Sequence, residues 1–254
     1  MTRITPLDGV HNFRHFHGYA GHDGASVREG LFRSGHLSRA SEADRALMDR
    51  LGIAVVADLR KPRERETEPS LWPDKVRVIA SDLGAGGEPP HLAFLRKGDH
   101  SEQAVRDYML SAYRRIPMES GNQEVYREAY KALANGEADT GFLVHCAAGK
   151  DRTGIFCALV LDELGVDRDT VMEDYLLTNQ AVDFDAIIPR IQERTRDQLG
   201  QAMPAPLMQI FLGVDADYLA QAFDTMGSVE AYVRDHLGIS EAEREALRQR
   251  WLAR

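Results

Sequence analysis

The stretch FLVHCAAGKDRTGIFCALVLDELG (142–165) constrains the fold of this chain more than any other. An apolar run of strand length, FLVH, enters a loop of small and charged residues, CAAGKDR, which opens onto the helical pattern TGIFCALVLDELG. Two other β-branched runs, IAVVADL (53–59) and VRVIAS (76–81), have the length and character of buried strands. Helical patterns lie between and after them, at about 101–116, 122–134, 154–164, 168–181 and most of 183–253. Strands alternating with helices predict a single α/β domain over 1–254, with a central, mainly parallel sheet flanked by helices. The loop then lies at the carboxyl end of its strand, the edge where open α/β sheets bind ligands.

Local punctuation fills in the remainder. GYAGHDGASV and REGLFRSG predict two short strands about an Asp23-Gly24 turn. Ser41 is placed to cap a helix with Glu42 and Asp44 in its first turn, running to Leu51 before Gly52. The Gly- and Pro-rich segment 82–100 reads as a loop leading into helical patterns, an expected lid at about 84–135, and a further helical portion follows at about 183–254. The run KPRERETE (61–68) reads as a solvated, charge-mixed surface segment.

Composition excludes several classes. A net charge of −9 lacks the basic excess of a nucleic-acid or membrane-surface binder, so an anionic substrate would need a local positive pocket. The longest apolar runs fall short of the roughly 20 residues that span a bilayer, so no stable membrane insertion is expected. MTRITPLDGVHNF has no apolar signal-peptide core, and two cysteines make no disulfide framework; a cytoplasmic location is the default expectation. Nine histidines, five of them before residue 37, lack an HExxH or Cys-x-x-Cys companion, so packing or solvated roles are favoured over a metal site.

The loop supplies the parts that phosphoryl transfer to a thiol requires. A free thiol ionises at about 8.5, and a position beside a helix N-terminus favours its thiolate, which makes Cys146 a candidate nucleophile. The small residues Ala147, Ala148 and Gly149 leave the backbone N–H groups, with that of Lys150, open to phosphate oxygens. Arg152 offers a planar fork for a phosphate. Thr153 can hydrogen-bond the sulfur, and His145 can hold the loop through its ring nitrogens. Cys157, among Ile155, Phe156 and Leu159, reads instead as a core residue. A nucleotide-binding loop is excluded, because Asp151 follows the lysine where Ser or Thr is required and Val144 stands where glycine should.

HCAAGKDRTG resembles the Cys-x-x-x-x-x-Arg-Ser/Thr signature of the cysteine-dependent protein tyrosine phosphatase superfamily, in the form of a bacterial branch of tyrosine-specific, dual-specificity and phosphoinositide phosphatases. HNFRHFHGY with REGLFRSGHLSR (11–39), ADLRKPRERE (57–66) and EDYLLTN (173–179) are similar to other blocks of that branch. HFH (15–17) departs from it, since DLG is usual there. The resemblance implies a phosphomonoester hydrolase without metal or cofactor. Its substrate would be a phosphorylated protein or a phosphoinositide and its product inorganic phosphate, with Cys146 forming a phosphocysteine. A silent phosphate-binding module docking phosphorylated partners is the alternative from another class. A sulfur- or arsenate-handling thiol enzyme ranks third, for want of a well-placed resolving cysteine.

Leaving-group departure needs a proton donor. Trp72-Pro73-Asp74 spells the acid loop of some tyrosine phosphatases, but it precedes the 76–81 strand, and a parallel sheet would put Asp74 at the opposite edge. Asp82 ends that strand and is better placed. Asp151, in the loop itself, is the acid that the resembled branch implies, so the expected order is Asp151, Asp82, Asp74. Asp58, at the end of its strand, is expected to emerge beside the loop and pair with Lys150, with a plain strand-end carboxylate as the alternative.

Overall fold

The computed structural model describes residues 3–73, 75–84, 86, 90–97, 101–136 and 140–253. Its strands are β1 (Arg14–His15), β2 (Ser26–Val27), β3 (Leu31–Ser34), β4 (Ile53–Asp58), β5 (Arg77–Ala80), β6 (Gly141–His145) and β7 (Leu252–Ala253). The first helices are α1 (Glu42–Arg50), α2 (Pro62–Thr67), α3 (Pro90–Lys97), α4 (Glu102–Arg115), α5 (Ser120–Asn135) and α6 (Asp151–Glu163). They are followed by α7 (Arg168–Leu176), α8 (Thr178–Ala181), α9 (Phe184–Leu199), α10 (Ala205–Leu212), α11 (Ala216–Met226), α12 (Val229–Asp235) and α13 (Glu241–Trp251).

The sheet runs β1-β3-β6-β4-β5, parallel throughout except for β1 at the edge. This is the mainly parallel sheet flanked by helices that the strand pattern predicts. β6 lies at its centre with every residue buried, as an apolar run without alternation requires. Ser34 and Asp58 both lie in register with His145, so three strands end level and share one carboxyl edge. Behind that edge α6 is buried from Thr153 to Leu161.

The expected N-terminal hairpin is corrected. The turn exists, with Asp23 and Gly24 at φ 54° and 74° and a bridge from Ala20 to Ser26. Yet all four residues of β3 are buried, which suits an interior strand, and β3 joins β6 in the main sheet. β2 pairs instead with β7, at the other end of the chain.

α1 starts as its capping residues demand. The Ser41 hydroxyl accepts from the Asp44 N–H, and Asp44 in turn accepts from the backbone N–H groups of Ser41, Asp8 and Gly9. Two helices arise where loop or surface was expected. α2 occupies 62–67, its start fixed by Pro62 in the first turn and by Glu64, which accepts from the Lys61 N–H at 2.8 Å. α3 occupies 90–97.

The 84–135 segment does not act as one piece. α5 packs on the sheet, with Val125, Tyr126, Ala129, Tyr130 and Leu133 inside the main core. α3 and the start of α4 instead join α9 and α10 in a smaller core around Leu95, Val105, Ile188, Met203 and Met208, while Met109, Ala112 and Tyr113 of α4 stay in the main core. The apolar side chains of α9 and α10 decide this partition, because they supply α3 and the start of α4 with a second buried surface.

Candidate active site

Cys146 is the first residue beyond β6 and is 2% exposed. The loop after it is held by its carbonyl groups. Ala147 O accepts from the His36 N–H at 3.0 Å and Ala148 O from Asn12 Nδ2 at 3.2 Å. Gly149 O accepts from Asn12 Nδ2 at 2.9 Å and from Arg33 Nη2 at 3.1 Å. Gly149 has φ 68° and lies so close to Ser34 that any side chain would run into the Ser34 backbone, so glycine is required. The N–H groups of Ala147, Ala148, Gly149 and Lys150 have no acceptor among the described residues, and α6 begins at the next position. The arrangement is a ring of donors at a helix N-terminus, suited to an anion.

Arg152 sits in the first turn of α6, and its guanidinium is gripped by Glu64. Nη1 donates to Glu64 Oε2 at 2.7 Å and to Leu59 O at 2.8 Å, and Nη2 donates to Glu64 Oε1 at 2.8 Å. Burial would raise the Glu64 carboxyl, but the Arg152 guanidinium outweighs it and holds the group down at about 2. The two N–H groups that remain, on Nε and Nη2, form a second fork with its geometry already set. The 61–68 run is therefore more than a solvated segment, although Arg63, Glu66 and Thr67 are exposed. Its helix presents Glu64 to the loop arginine, and Lys-Pro-Arg-Glu, with proline in the first turn and glutamate at its third position, was the available signal.

A model of the tyrosine phosphatase family matches residues 5–253. The chain belongs to the tyrosine phosphatase family. It is 36% identical to the triple specificity protein phosphatase PtpB of Mycobacterium tuberculosis, over 94% of this chain and 95% of that one. It is 32% identical to a putative tyrosine-protein phosphatase of Cupriavidus necator, over 97% and 88%. A tyrosine-protein phosphatase of Nostoc commune matches at 27% identity, over 87% and 74%. The protein is thus a phosphatase.

Other expected residues of this phosphatase fall as follows. His145 is fully buried beneath the loop; its Nδ1 donates to Cys146 O at 3.2 Å, and Nε2 lies 3.6 Å from Asp58 Oδ1. Burial pushes its imidazole down to about 4, against the pull of Asp58, so at neutral pH the ring is uncharged. Trp72 packs at a tilt on that ring, centroids 5.6 Å apart, while Asp74 lies outside the described residues. Cys157 is buried, and burial pushes its thiol up to about 12, which marks it as an inert core residue. The Thr153 hydroxyl is buried and makes no hydrogen bond among the described residues, so the expected bond to the Cys146 sulfur is not formed here.

The expected pairing of Asp58 with Lys150 is overturned. Arg60, two residues along, takes both oxygens of Asp58, with Nη2 at 2.7 Å. Lys150 Nζ instead donates to the carbonyls of Phe211 and Gly213, at 3.0 and 3.2 Å, and lies 3.1 Å from Asp151 Oδ1. These carbonyls close the C-terminal end of α10, where the helix dipole favours a cation. The smaller core thereby caps the loop. Of the candidate acids, Asp151 stands at the loop and accepts from the Tyr113 hydroxyl at 2.7 Å; Tyr113 in turn shares a 2.5 Å hydrogen bond with Tyr175. Asp82 is 95% exposed at its side chain and pairs with Arg65 at 2.7 Å, turned to solvent. Tyr113 carried no sequence signal of its own, since it lies on α4 far from the loop in the chain.

Proposed function

We propose that this phosphatase cleaves phosphate monoesters through a phosphocysteine on Cys146, with phosphotyrosine as its leading substrate. The observation that carries the reading is the ring of loop N–H groups, without acceptors among the described residues, closed by Arg152, whose Nε/Nη2 fork Glu64 holds in place. The Cys146 thiolate attacks phosphorus as the ester P–O bond breaks, and Asp151 delivers a proton to the departing oxygen. Water, giving its proton back to Asp151, then attacks phosphorus and breaks the S–P bond, releasing inorganic phosphate. The loop donors and Arg152 serve the charge on the non-bridging oxygens in both steps. His145 beneath the loop and Asp58, clamped by Arg60, support its position.

Phosphoserine, phosphothreonine and phosphoinositides belong in the same survey, because the relative from Mycobacterium tuberculosis is named for triple specificity. Phosphate release across phosphopeptides and phosphoinositides is the test, with Cys146→Ser as the blank. Cys146→Ser should be inactive yet still bind phosphate. Arg152→Lys should be nearly inactive, because an ammonium group cannot reproduce the fork. Turnover that survives in Cys146→Ser would remove the covalent route, and phosphate binding without turnover by the wild-type chain would favour a docking module.

A further inference from the structure

The block that contains Asn12, Arg14 and Arg33 takes no part in the chemistry above, yet it meets the loop from behind. A trans peptide is planar, with its C=O and N–H pointing in opposite directions. Four consecutive loop carbonyls, those of Cys146, Ala147, Ala148 and Gly149, are each taken by a donor outside the anion ring. The N–H groups of Ala147, Ala148, Gly149 and Lys150 must then face the other way, into the ring. Two of the four carbonyls depend on one side-chain amide, that of Asn12.

We propose that Asn12, backed by Arg14 and Arg33, is a positioning residue that holds the loop in its anion-accepting form by pinning the Ala148 and Gly149 carbonyls away from the phosphate. The inference rests on the phosphatase reading of the same loop and adds a residue to it. Asn12 is 3% exposed and has φ 59°, a left-handed backbone that asparagine tolerates better than most residues. The position needs that backbone and an amide donor together; glycine lacks the donor, and aspartate reverses it. The orientation of the amide is fixed by chemistry. Arg14 Nη1, which can only donate, bonds Asn12 Oδ1, so Nδ2 faces the carbonyls.

The backing runs further. Arg14 Nη2 donates to Asp174 O and to Thr178 Oγ1, both at 3.1 Å, and Arg33 pairs with Asp174 Oδ2 at 2.9 Å. The Tyr19 hydroxyl donates to the other oxygen of Asp174 at 3.0 Å. The 11–39 and 173–179 blocks, distant in sequence, thus form one buried assembly behind the loop. It holds two guanidinium groups against one carboxylate, and burial together with the charge of Arg33 lowers Arg14 to about 9. A dianion in the ring faces this surplus of positive charge.

The test uses the full chain, with inorganic phosphate as ligand in titration calorimetry and an aryl phosphate for turnover. Asn12→Asp keeps the shape and the Arg14 contact but sets an acceptor against two carbonyls. Asn12→Gly removes the side chain at a backbone glycine accepts, and it decides the matter if the aspartate variant does not fold. In folded protein with one alkylatable Cys146 per chain, phosphate affinity should fall about ten- to a hundredfold in Asn12→Asp and less in Asn12→Gly, the range one or two hydrogen bonds command. Turnover should fall in kcat as well as in kcat/KM. Phosphate affinity within about twofold of wild type in a folded variant overturns the proposal. Because calorimetry needs no catalysis, a wild-type chain that binds phosphate without turnover defeats the functional reading and leaves this result to stand separately.

Discussion

Replacing Glu64 by glutamine tests the link between α2 and the loop arginine. The substitution conserves shape but removes the charge and turns one acceptor into a donor facing Arg152 or the Lys61 N–H. The carboxyl falls from 4.5 to about 2 in the folded chain, which corresponds to roughly 3 kcal/mol of favourable charge interaction at about 1.4 kcal/mol per unit. The Glu64 side chain is 27% exposed, so solvent screening reduces the expected loss to about 1.5–3 kcal/mol. For a chain of this size that lowers the melting temperature by about 4–10 °C. The sign with pH follows from the direction of the shift. A depressed carboxyl stabilises the fold fully above its unfolded value of 4.5 and loses that contribution as pH falls through about 2. Thermal melts from pH 7 to pH 2 should therefore show the two proteins farthest apart near neutrality and converging in acid. At pH 7 kcat/KM should drop about 10- to 100-fold as the free edge of Arg152 loses its fixed direction. A variant that melts with wild type at pH 7, or keeps full kcat/KM, would refute the argument that Glu64 orients the guanidinium.

Two other substitutions probe the loop. Asp151→Asn should slow esters with poor leaving groups, such as tyrosine and alkyl phosphates, about 100-fold or more while sparing activated aryl phosphates; if Asp82→Asn shows that pattern and Asp151→Asn does not, the loop aspartate is not the acid. Lys150→Ala removes the two bonds to the end of α10, so amide hydrogen exchange over 205–213 should quicken; unchanged exchange would show that the lysine does not fasten that helix.

The loop was legible because its parts are consecutive. Strand, small residues, arginine and helix follow one another, so local chemistry alone places Cys146 and Arg152 side by side. What stayed hidden depends on contacts between separated elements. Glu64 lies in a run whose charges look solvated until the bond to Arg152 is formed. Asp58 ends its strand as expected, but nothing in VVADLR shows that Arg60 will fold back and claim it before Lys150 can. Alternation around Asp23-Gly24 signals a turn without naming the partners of the strands, and β3 lies inside the sheet, between β1 and β6, with all four of its residues buried. Gly and Pro at 82–100 point to a lid at 84–135, whereas the contact on Lys150 comes from α10, whose apolar residues read only as another helix.

The pairing of β2 with β7 has a bearing on how the chain is made. Ser26–Val27 and Leu252–Ala253 are partners from opposite ends of the sequence, and Arg28 N–H adds a bond to Trp251 O at 2.8 Å. At roughly 5–20 residues per second, a ribosome takes on the order of ten seconds or longer to synthesise the residues between them. For that interval β2 keeps only its local bonds to Gly18, Tyr19 and Ala20, and the edge that β7 covers stays unpaired. Closure of this pair therefore waits until nearly all of these residues have been made, so it belongs to the last steps of folding during synthesis.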